Sequence, residues 1–383
     1  MSDIRENCLI RFDWHGSITA FSFSLGFNTS LARSSNISST IPLFASPDGV
    51  YTFPLSFGTP PQSLDFALSG SVRLTSFPCR ANFSCGYGCT LDPKDIPTFN
   101  PDLSNSSALV YCNDTLLHDI VSWELVPECF EECSAANHSC LAEYTDNEGS
   151  LAMSGVVLFE SLTLPGVKDP ARNLFVGVRI RFGGMAARKG KGTQDIIRYT
   201  PFTDFPDEPW LSAYYYINLQ KIVVGGVEVN VPTKYLVPNN DGHRGVIVEA
   251  GYTVSVMDIR VFKPFVHEFK KQVGTKYNRA TEVENKSSHG PRYNIDSDMS
   301  GMPELVFGFQ GGGELVVPVE NYLGLWNDSV ICMTIRSVGN ETNAMEGPAI
   351  VLGQWQMQNV YVEYDLANNR LGFLPKNCSQ GSY

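Results

Sequence analysis

Two segments about half a chain apart share one pattern, and this repetition constrains the fold more than any other feature. The segments "LDFALSGSVRLTSF" (64–77) and "RGVIVEAGYTVSVM" (244–257) each contain an apolar strand, a turn of small residues with glycine, and a second strand that carries threonine. Units of this kind are typical of β-hairpins. Their duplication predicts two similar lobes whose turns meet across a cleft, with two unrelated hairpins as the simpler alternative.

Further strand and turn patterns predict a mostly β protein that is rich in hairpins. They occupy residues 149–165, 213–232, 303–318 and 359–375. One helix is predicted over 258–273, with Asp258 as its N-cap. Its apolar stripe consists of Val261, Phe265, Val266, Phe269 and Val273, with Pro264 in its interior. His267 is interpreted as an ordinary helix residue, because Lys271 stands where a zinc-protease motif needs its second histidine.

Composition excludes several classes of protein. Hydrophobic residues make up 43% of the 383 residues and charged residues 18%, which predicts a globular chain that folds into two lobes. A net charge of -12 argues against a nucleic-acid-binding surface, and the short basic run 188–191 is interpreted as a solvated loop. No apolar run approaches the length of a membrane-spanning helix. We therefore expect neither a nucleic-acid nor a membrane partner, and a monomer.

The cysteines predict disulfide bonds. Seven of the ten fall in a region rich in Gly, Asn, Ser and Pro, and such density is typical of disulfide-bonded segments. These seven are Cys79, Cys85, Cys89, Cys112, Cys129, Cys133 and Cys140. A zinc site is the alternative, but a paired CxxC motif is missing, and His138 is the only histidine close to the cysteine cluster at 129–140. We expect neither a metal nor a cofactor.

Glycosylation sequons also favour the secretory pathway, to an extracellular or vacuolar location. The main candidates are Asn82, Asn105, Asn113, Asn137, Asn285, Asn327 and Asn340. The N-terminus disagrees, since it lacks a basic start, an apolar core and a small-residue cleavage site. Residues 1–45 are polar and without sustained periodicity, and we interpret them as a leader or a remnant pro-segment.

Three segments carry a family resemblance that extends from about Tyr51 to Cys378. Residues 51–79, the turn region 244–257 and above all the closing segment "GPAIVLGQWQMQNVYVEYDLANNRLGFLPKNC" resemble plant pepsin-like aspartic proteases of the nepenthesin type. The resemblance implies the bilobal pepsin-like fold with a central cleft. The N-terminal β lobe would comprise residues 46–198, with the first active-site loop, the flap and the Cys-rich insertion. The C-terminal β lobe would comprise residues 199–383, with the second active-site loop.

The family's chemistry implies an aspartate in each turn, because one carboxylate must act as base while its neighbour remains protonated. At the matching positions this chain has Ser69, followed by Gly70 and Ser71, and Glu249, followed by Ala250 and Gly251. A serine hydroxyl cannot share a proton as a carboxylate does, and a glutamate reaches one methylene too far. A Ser69 nucleophile paired with Glu249 lacks a histidine or lysine to take its proton. Asp65 is interpreted as a solvated strand residue.

Other departures from the family pattern agree with this loss. Tyr144 matches the tyrosine of the flap, but the flap tip is longer than usual. Between residues 177 and 197 the chain lacks several tens of residues that the family carries, so the first lobe is predicted to be partly deleted. Arg292 stands near a usual family cysteine, which makes Cys332 and Cys378 candidates for unpaired cysteines.

The main hypothesis is therefore a pepsin-like aspartic protease homologue that lacks both catalytic aspartates and is a non-catalytic pseudoprotease. A peptide or protein ligand would then bind in the cleft or on the outer surface. One alternative is a secreted inhibitor of microbial glycoside hydrolases, by analogy with related plant proteins. A second alternative is a residual aspartic-type endopeptidase that works with Glu249 alone.

Overall fold

The structure is a computed structural model, and somewhat more than half of the chain is described in it. The described residues are 19–25, 37–45, 51–67, 78, 97–111, 141–145, 151–156, 158–163, 171–176, 182–183, 197–203, 214–239, 243–286, 290–295, 299–327, 329–338, 347–365 and 368–375. In these ranges strands far outnumber helices, so the predicted mostly β fold is confirmed.

The N-terminal half is built around one large, mostly antiparallel sheet. The strands described in this half are β1 (Thr19–Leu25), β2 (Ile37–Ala45), β3 (Tyr51–Phe57), β4 (Gln62–Ala67), β5 (Ala108–Leu109), β6 (Leu141–Thr145), β7 (Leu151–Val156), β8 (Leu158–Thr163), β9 (Ala171–Val176) and β10 (Phe182–Gly183). Strands β6 and β7 form a separate pair, and the other eight form the large sheet. The sheet has the order β10-β1-β2-β3-β8-β5, with β4 also paired to β3 and β9 to β8.

Strands β1 and β2 lie within the segment that sequence analysis assigned to a leader or pro-segment. They pair antiparallel over the full length of β1, from Thr19 opposite Leu43 to Leu25 opposite Ile37. Strand β2 then continues the sheet through β3, and β1 pairs with β10. The described part of this segment is therefore integrated into the N-terminal sheet. The weak periodicity of its sequence did not predict these two strands.

The described residues of the C-terminal half form four small sheets. Its strands are β11 (Arg198–Pro201), β12 (Tyr216–Ile217), β13 (Leu219–Val224), β14 (Val227–Glu228), β15 (Val246–Val248), β16 (Val256–Asp258), β17 (Arg292–Asn294), β18 (Leu305–Phe309), β19 (Glu314–Val317), β20 (Leu323–Asn327), β21 (Val330–Met333), β22 (Arg336–Val338), β23 (Ile350–Leu352), β24 (Val360–Asp365) and β25 (Arg370–Pro375). The sheet orders are β11-β25-β24, β12-β15-β23-β16-β22, β14-β13-β18-β19 and β17-β21-β20. The glycines at 311–313 connect β18 to β19, which confirms the predicted hairpin.

The predicted helix is confirmed. Three α-helices lie in the described ranges, namely α1 (Ile259–Val273), α2 (Thr281–Lys286) and α3 (Val319–Tyr322). Asp258 caps α1, since its side chain accepts a hydrogen bond from the backbone N–H of Arg260. The buried residues of α1 are those of the predicted stripe, and Pro264 lies inside the helix.

The stripe of α1 packs into the main apolar core of the C-terminal half. Phe269 is 1% exposed, and its ring contacts those of Tyr322 at 5.8 Å and Tyr293 at 6.2 Å between centroids. Strands of all four sheets contribute side chains to the same cluster, including Phe307 and Ile350, which are fully buried. The amphipathic helix thus closes one side of the core, as expected for an apolar stripe of this width.

Cys332 corrects one expectation from the sequence. It lies on β21 directly opposite Arg292 of β17, and it is disulfide-bonded. The suggestion that it is unpaired is therefore wrong. Arg292 itself is buried, and its guanidinium stacks on the ring of Trp326 at 4.1 Å. The other nine cysteines, including the seven disulfide candidates, lie outside the described residues.

Within those described ranges, no helix is long and apolar enough to cross a membrane. Among the same residues, no group of three His, Cys, Asp or Glu side chains is placed to hold a metal ion. The cysteine cluster for which a zinc site was the alternative interpretation lies outside the described residues.

Candidate active-site turn

The second predicted turn lies in a sheet where one strand is threaded between two others. Strand β15 enters the turn and β16 leaves it, and β23, about 100 residues later in the chain, lies between them. Val246 is opposite Ile350 in the parallel pair of β15 and β23, whereas Val256 is opposite Val351 in the antiparallel pair of β16 and β23. All three strands are fully buried, which accounts for their apolar sequences.

Residues that follow β23 hold the far side of this turn. The backbone N–H of Gly353 donates to the Ser255 hydroxyl at 2.9 Å, and Gln354 N–H donates to the Tyr252 carbonyl, also at 2.9 Å. Trp355 N–H donates to the Thr253 carbonyl at 3.0 Å. Two backbone hydrogen bonds and one hydrogen bond to the Ser255 hydroxyl thus join the turn to the residues that follow β23.

Glu249 occupies the position where the resemblance places an aspartate. Its residue surface is 1% exposed, and its backbone N–H donates to the Leu352 carbonyl at 2.9 Å. Its carboxylate oxygen Oε1 accepts a hydrogen bond from the backbone N–H of Gly251 at 2.7 Å. The longer side chain is thus folded back onto the backbone of its own turn. Of the two residues that follow it, Ala250 is half-buried and Gly251 exposed.

Tyr364 contacts the last residue of β15, directly before the turn. The Tyr364 hydroxyl donates to the Val248 carbonyl at 3.2 Å, and its ring lies 5.4 Å from that of Tyr215 and 6.2 Å from that of Phe202. Burial, and then the nearby charge of Glu249, raise the pKa of Tyr364 well above its usual value. This hydroxyl therefore stays protonated and can act only as a neutral hydrogen-bonding group. Sequence analysis missed Tyr364, although it lies in the closing segment that carried the resemblance.

The first turn is only partly described. Strands β3 and β4 form the predicted hairpin that leads to it, with Phe57 and Phe66 packed at 5.4 Å between ring centroids. Ser69, Gly70 and Ser71 lie outside the described residues. Asp65 is exposed on β4, which confirms its interpretation as a solvated strand residue.

Of the predicted flap hairpin, the structure describes the two strands. Tyr144 lies on β6, opposite Met153 of β7 in an antiparallel pair. This is the hairpin that the resemblance implies, and its tip, residues 146–150, lies outside the described residues.

Comparisons with known proteins agree with this architecture. Residues 214–375 match the family model described as xylanase inhibitor C-terminal. A probable aspartyl protease of Arabidopsis thaliana is 28% identical over 46% of this chain, a match that covers 38% of that protein's length. The aspartic proteinase nepenthesin-1 of Nepenthes gracilis is 24% identical over 86% of this chain and 78% of its own.

A solved structure extends the likeness to the fold. The crystal structure of edgp superposes with a TM-score of 0.64 at 14% identity, and covers 95% of this chain and 98% of that one. An identity this low supports a shared fold and nothing more, and the superposition covers nearly the whole of both chains. The sequence relatives and the match of residues 214–375 support a resemblance to plant proteins of the pepsin-like, peptidase A1 type, and the solved structure supports the same fold.

Proposed function

We propose that this chain is a pepsin-fold protein that does not cleave peptides and acts instead by binding a peptide or protein. The observation that carries this proposal is the state of Glu249. Its buried carboxylate accepts a hydrogen bond from the N–H of Gly251 at 2.7 Å, within a turn that the N–H groups of Gln354 and Trp355 join to the closing segment. The framework of a catalytic turn is present, but its acid is one methylene longer than the family's and is bonded to its own turn.

The chemistry of the family explains why this matters. Two carboxylates that approach closely share one proton, so that one activates water while the other protonates the substrate. With Ser69 at the first position and Glu249 at the second, the chain offers one carboxylate in place of two. Residual endopeptidase activity by Glu249 alone is the weakest of the three hypotheses, since a single buried carboxylate cannot serve as acid and base at once.

Inhibition of a secreted glycoside hydrolase is the second candidate. It is favoured by the match of residues 214–375 to the xylanase inhibitor C-terminal model. The name belongs to the matched family model, and the transfer of an inhibitory activity to this chain is part of the proposal. Titration of a fungal or bacterial endoxylanase with the purified protein tests it: a loss of xylan hydrolysis at a stoichiometric ratio supports inhibition. Unchanged rates across a panel of secreted hydrolases contradict it.

We predict that the unmodified protein has no aspartic protease activity. Denatured haemoglobin is incubated with it from pH 2 to pH 7, with and without pepstatin, and nepenthesin-1 serves as the positive control. No pepstatin-sensitive cleavage is expected at any pH, because the paired carboxylates are missing. Pepstatin-sensitive product from the unmodified chain would overturn the proposal.

A repaired variant provides the matched control. It carries Ser69→Asp, Gly70→Thr, Glu249→Asp and Ala250→Ser, which restore the family's residues in both turns. Cleavage by this variant assigns the inactivity to the turns. If the variant does not cleave haemoglobin although its circular dichroism spectrum is intact, the defect is assigned to the deletion predicted in the first lobe.

We also propose that the protein passes through the secretory pathway, which the disulfide bond of Cys332 supports. Three of the seven main sequon asparagines are described, namely Asn105, Asn285 and Asn327, and all three are exposed. Asn327 ends β20 next to the turn before β21, and its Oδ1 accepts hydrogen bonds from the N–H and the hydroxyl of Ser329. Asn285 lies in helix α2, whose backbone excludes such a turn.

We therefore expect a glycan on Asn327 when the chain is expressed in a eukaryotic secretory host. Its amide nitrogen, to which the sugar is attached, donates to no residue that the structure describes. Peptide mass spectrometry after deglycosylation in heavy-oxygen water should report high occupancy at Asn327 and lower occupancy at Asn285. Asn327→Gln should remove one glycan from the mobility pattern, and an unmodified Asn327 in the secreted protein would contradict the prediction.

A further inference from the structure

Helix α1 borders a groove that is separate from the candidate active-site turn. The groove has a volume of about 650 Å³, and its described lining comes from α1 on one side and from α2, Gly290 and Ser337 of β22 on the other. None of these lining residues belongs to the turn at 249–255. A ligand of this groove would therefore bind independently of the chemistry of that turn.

One wall of the groove is an apolar surface that is fixed by the protein core. Ile259, Phe262 and Val266 line it at intervals of three and four residues, which places them on one face of α1. Val266 is 7% exposed and belongs to the main apolar core. The Phe262 ring meets the buried Phe265 ring edge-on, with 6.2 Å between centroids. Because this surface is already formed, binding to it costs less conformational entropy than binding to a flexible loop.

The same row of side chains ends in a positive charge. Lys270 follows Val266 by four residues and lines the same groove. At a rise of 1.5 Å per residue, Phe262 and Lys270 lie about 12 Å apart along the helix axis. Lys263 also lines the groove, but it already takes part in another interaction and is not counted as an available charge. The wall thus changes along its length from an apolar surface to an ammonium group.

No carboxylate of a described residue forms an ion pair with Lys270. Glu284, on the opposite wall, forms a two-pronged ion pair with Arg279, and Glu268 pairs with Lys271. Burial, and then the charge of Arg279, lower the pKa of Lys270, and the charge of Glu284 offsets this only in part. Both effects disfavour the ammonium form, so an anion bound beside Lys270 would stabilise it.

We propose that this groove binds a small amphipathic acid, with one carboxylate and an unbranched aliphatic body about as long as the row from Phe262 to Lys270. The carboxylate would accept a hydrogen bond from the Lys270 ammonium, and the aliphatic body would cover Phe262 and Val266. One available charge suffices for one carboxylate, and both ends of the ligand meet side chains of a single helix face.

The size and charge of the groove favour a small monoanion over a macromolecular polyanion. Its volume lies within the range of small-molecule sites, about 300 to 1,000 Å³. A nucleic acid or an anionic bilayer would bring many negative charges close to a chain whose net charge is -12, and the resulting repulsion opposes binding. A ligand with a single carboxylate gains from Lys270 and brings little such repulsion.

Isothermal titration calorimetry of the full chain with octanoate, kept below its micelle concentration, tests the proposal. Octanoate should bind in a saturable way, 1-octanol about tenfold more weakly, and acetate not measurably, because a good site needs both the charge and the apolar surface. Lys270→Met should weaken octanoate binding about tenfold and change 1-octanol binding less than about twofold. Phe262→Ala should weaken the binding of both ligands.

Lys271→Met is the matched control. It removes the same charge one residue along the helix, from a side chain that pairs with Glu268 and is not among the lining residues, so it should change octanoate binding less than about twofold. Should Lys270→Met fail to fold by circular dichroism, Lys270→Gln removes the charge and keeps a polar side chain. The proposal is overturned if octanoate does not bind, if octanoate and 1-octanol bind equally, or if the Lys270 variant binds octanoate no more weakly than Lys271→Met.

Discussion

A Gly353→Ala variant is expected to lose about 2 to 4 kcal/mol of its free energy of unfolding. A Cβ atom at this position would lie 2.6 Å from the carbonyl carbon of Val254 and 2.7 Å from the carbonyl oxygen of Tyr252. These are backbone atoms of the candidate active-site turn, so no side-chain rotation relieves the contact. Either the turn or the end of β23 must shift, and the hydrogen bond from Gly353 N–H to the Ser255 hydroxyl is then strained or lost.

Urea unfolding followed by tryptophan fluorescence measures the effect, and hydrogen exchange at residues 250–255 locates it. Gly226→Ala is the control, since its added Cβ meets nothing within 4 Å but its φ of +80° is unfavourable for alanine. That variant should lose about 1 kcal/mol, from backbone conformation alone. An equal loss in the two variants, or unchanged exchange in the turn, would show that the close approach at Gly353 is unimportant.

A Phe269→Ala variant is expected to lose about 3 to 5 kcal/mol. The ring is 1% exposed, and it contacts Tyr322 of α3 and Tyr293 of β17 in edge-on arrangements. The ring thereby joins α1 to α3 and to the sheet of β17 in one core, and the surrounding elements cannot collapse fully into the space that the ring leaves. The truncation costs both the transfer free energy of the ring and the remaining cavity.

The same unfolding measurement shows whether the loss comes from the burial of Phe269 or would follow the truncation of any large apolar side chain. Leu325→Ala on β20 is the control, because this side chain is large and apolar but 47% exposed, and we expect a loss of less than about 1 kcal/mol. If Phe269→Ala costs no more than Leu325→Ala, the aromatic contacts of α1 do not support the C-terminal core.

Helix α1 is the element that sequence reasoning predicted best. Its cap, its stripe and its end are all encoded in residues a few positions apart, so local chemistry suffices. The hairpins of β3 with β4 and β18 with β19 were predicted for the same reason. The two strands before residue 46 were missed, because their pairing partners supply the order that their own periodicity lacks.

The candidate active-site turn was located by its resemblance, but its structural basis was not predicted. Nothing local in "RGVIVEAG" indicates that β23 runs parallel to it or that Gly353 closes over Ser255. The same holds for Tyr364, which reaches the turn from more than 100 residues away. The state of Cys332 was predicted wrongly, because a missing family partner at 292 does not exclude a different partner.

Neighbouring residues were sufficient to predict the mostly β class, the capped helix α1 and the hairpins of β3 with β4 and of β18 with β19. The structure was needed to show that β23 lies between β15 and β16, that Gly353 N–H donates to the Ser255 hydroxyl and that Tyr364 contacts the Val248 carbonyl. These features depend on contacts between segments far apart in the chain, where backbone hydrogen bonds and burial select one partner among many strands of similar sequence.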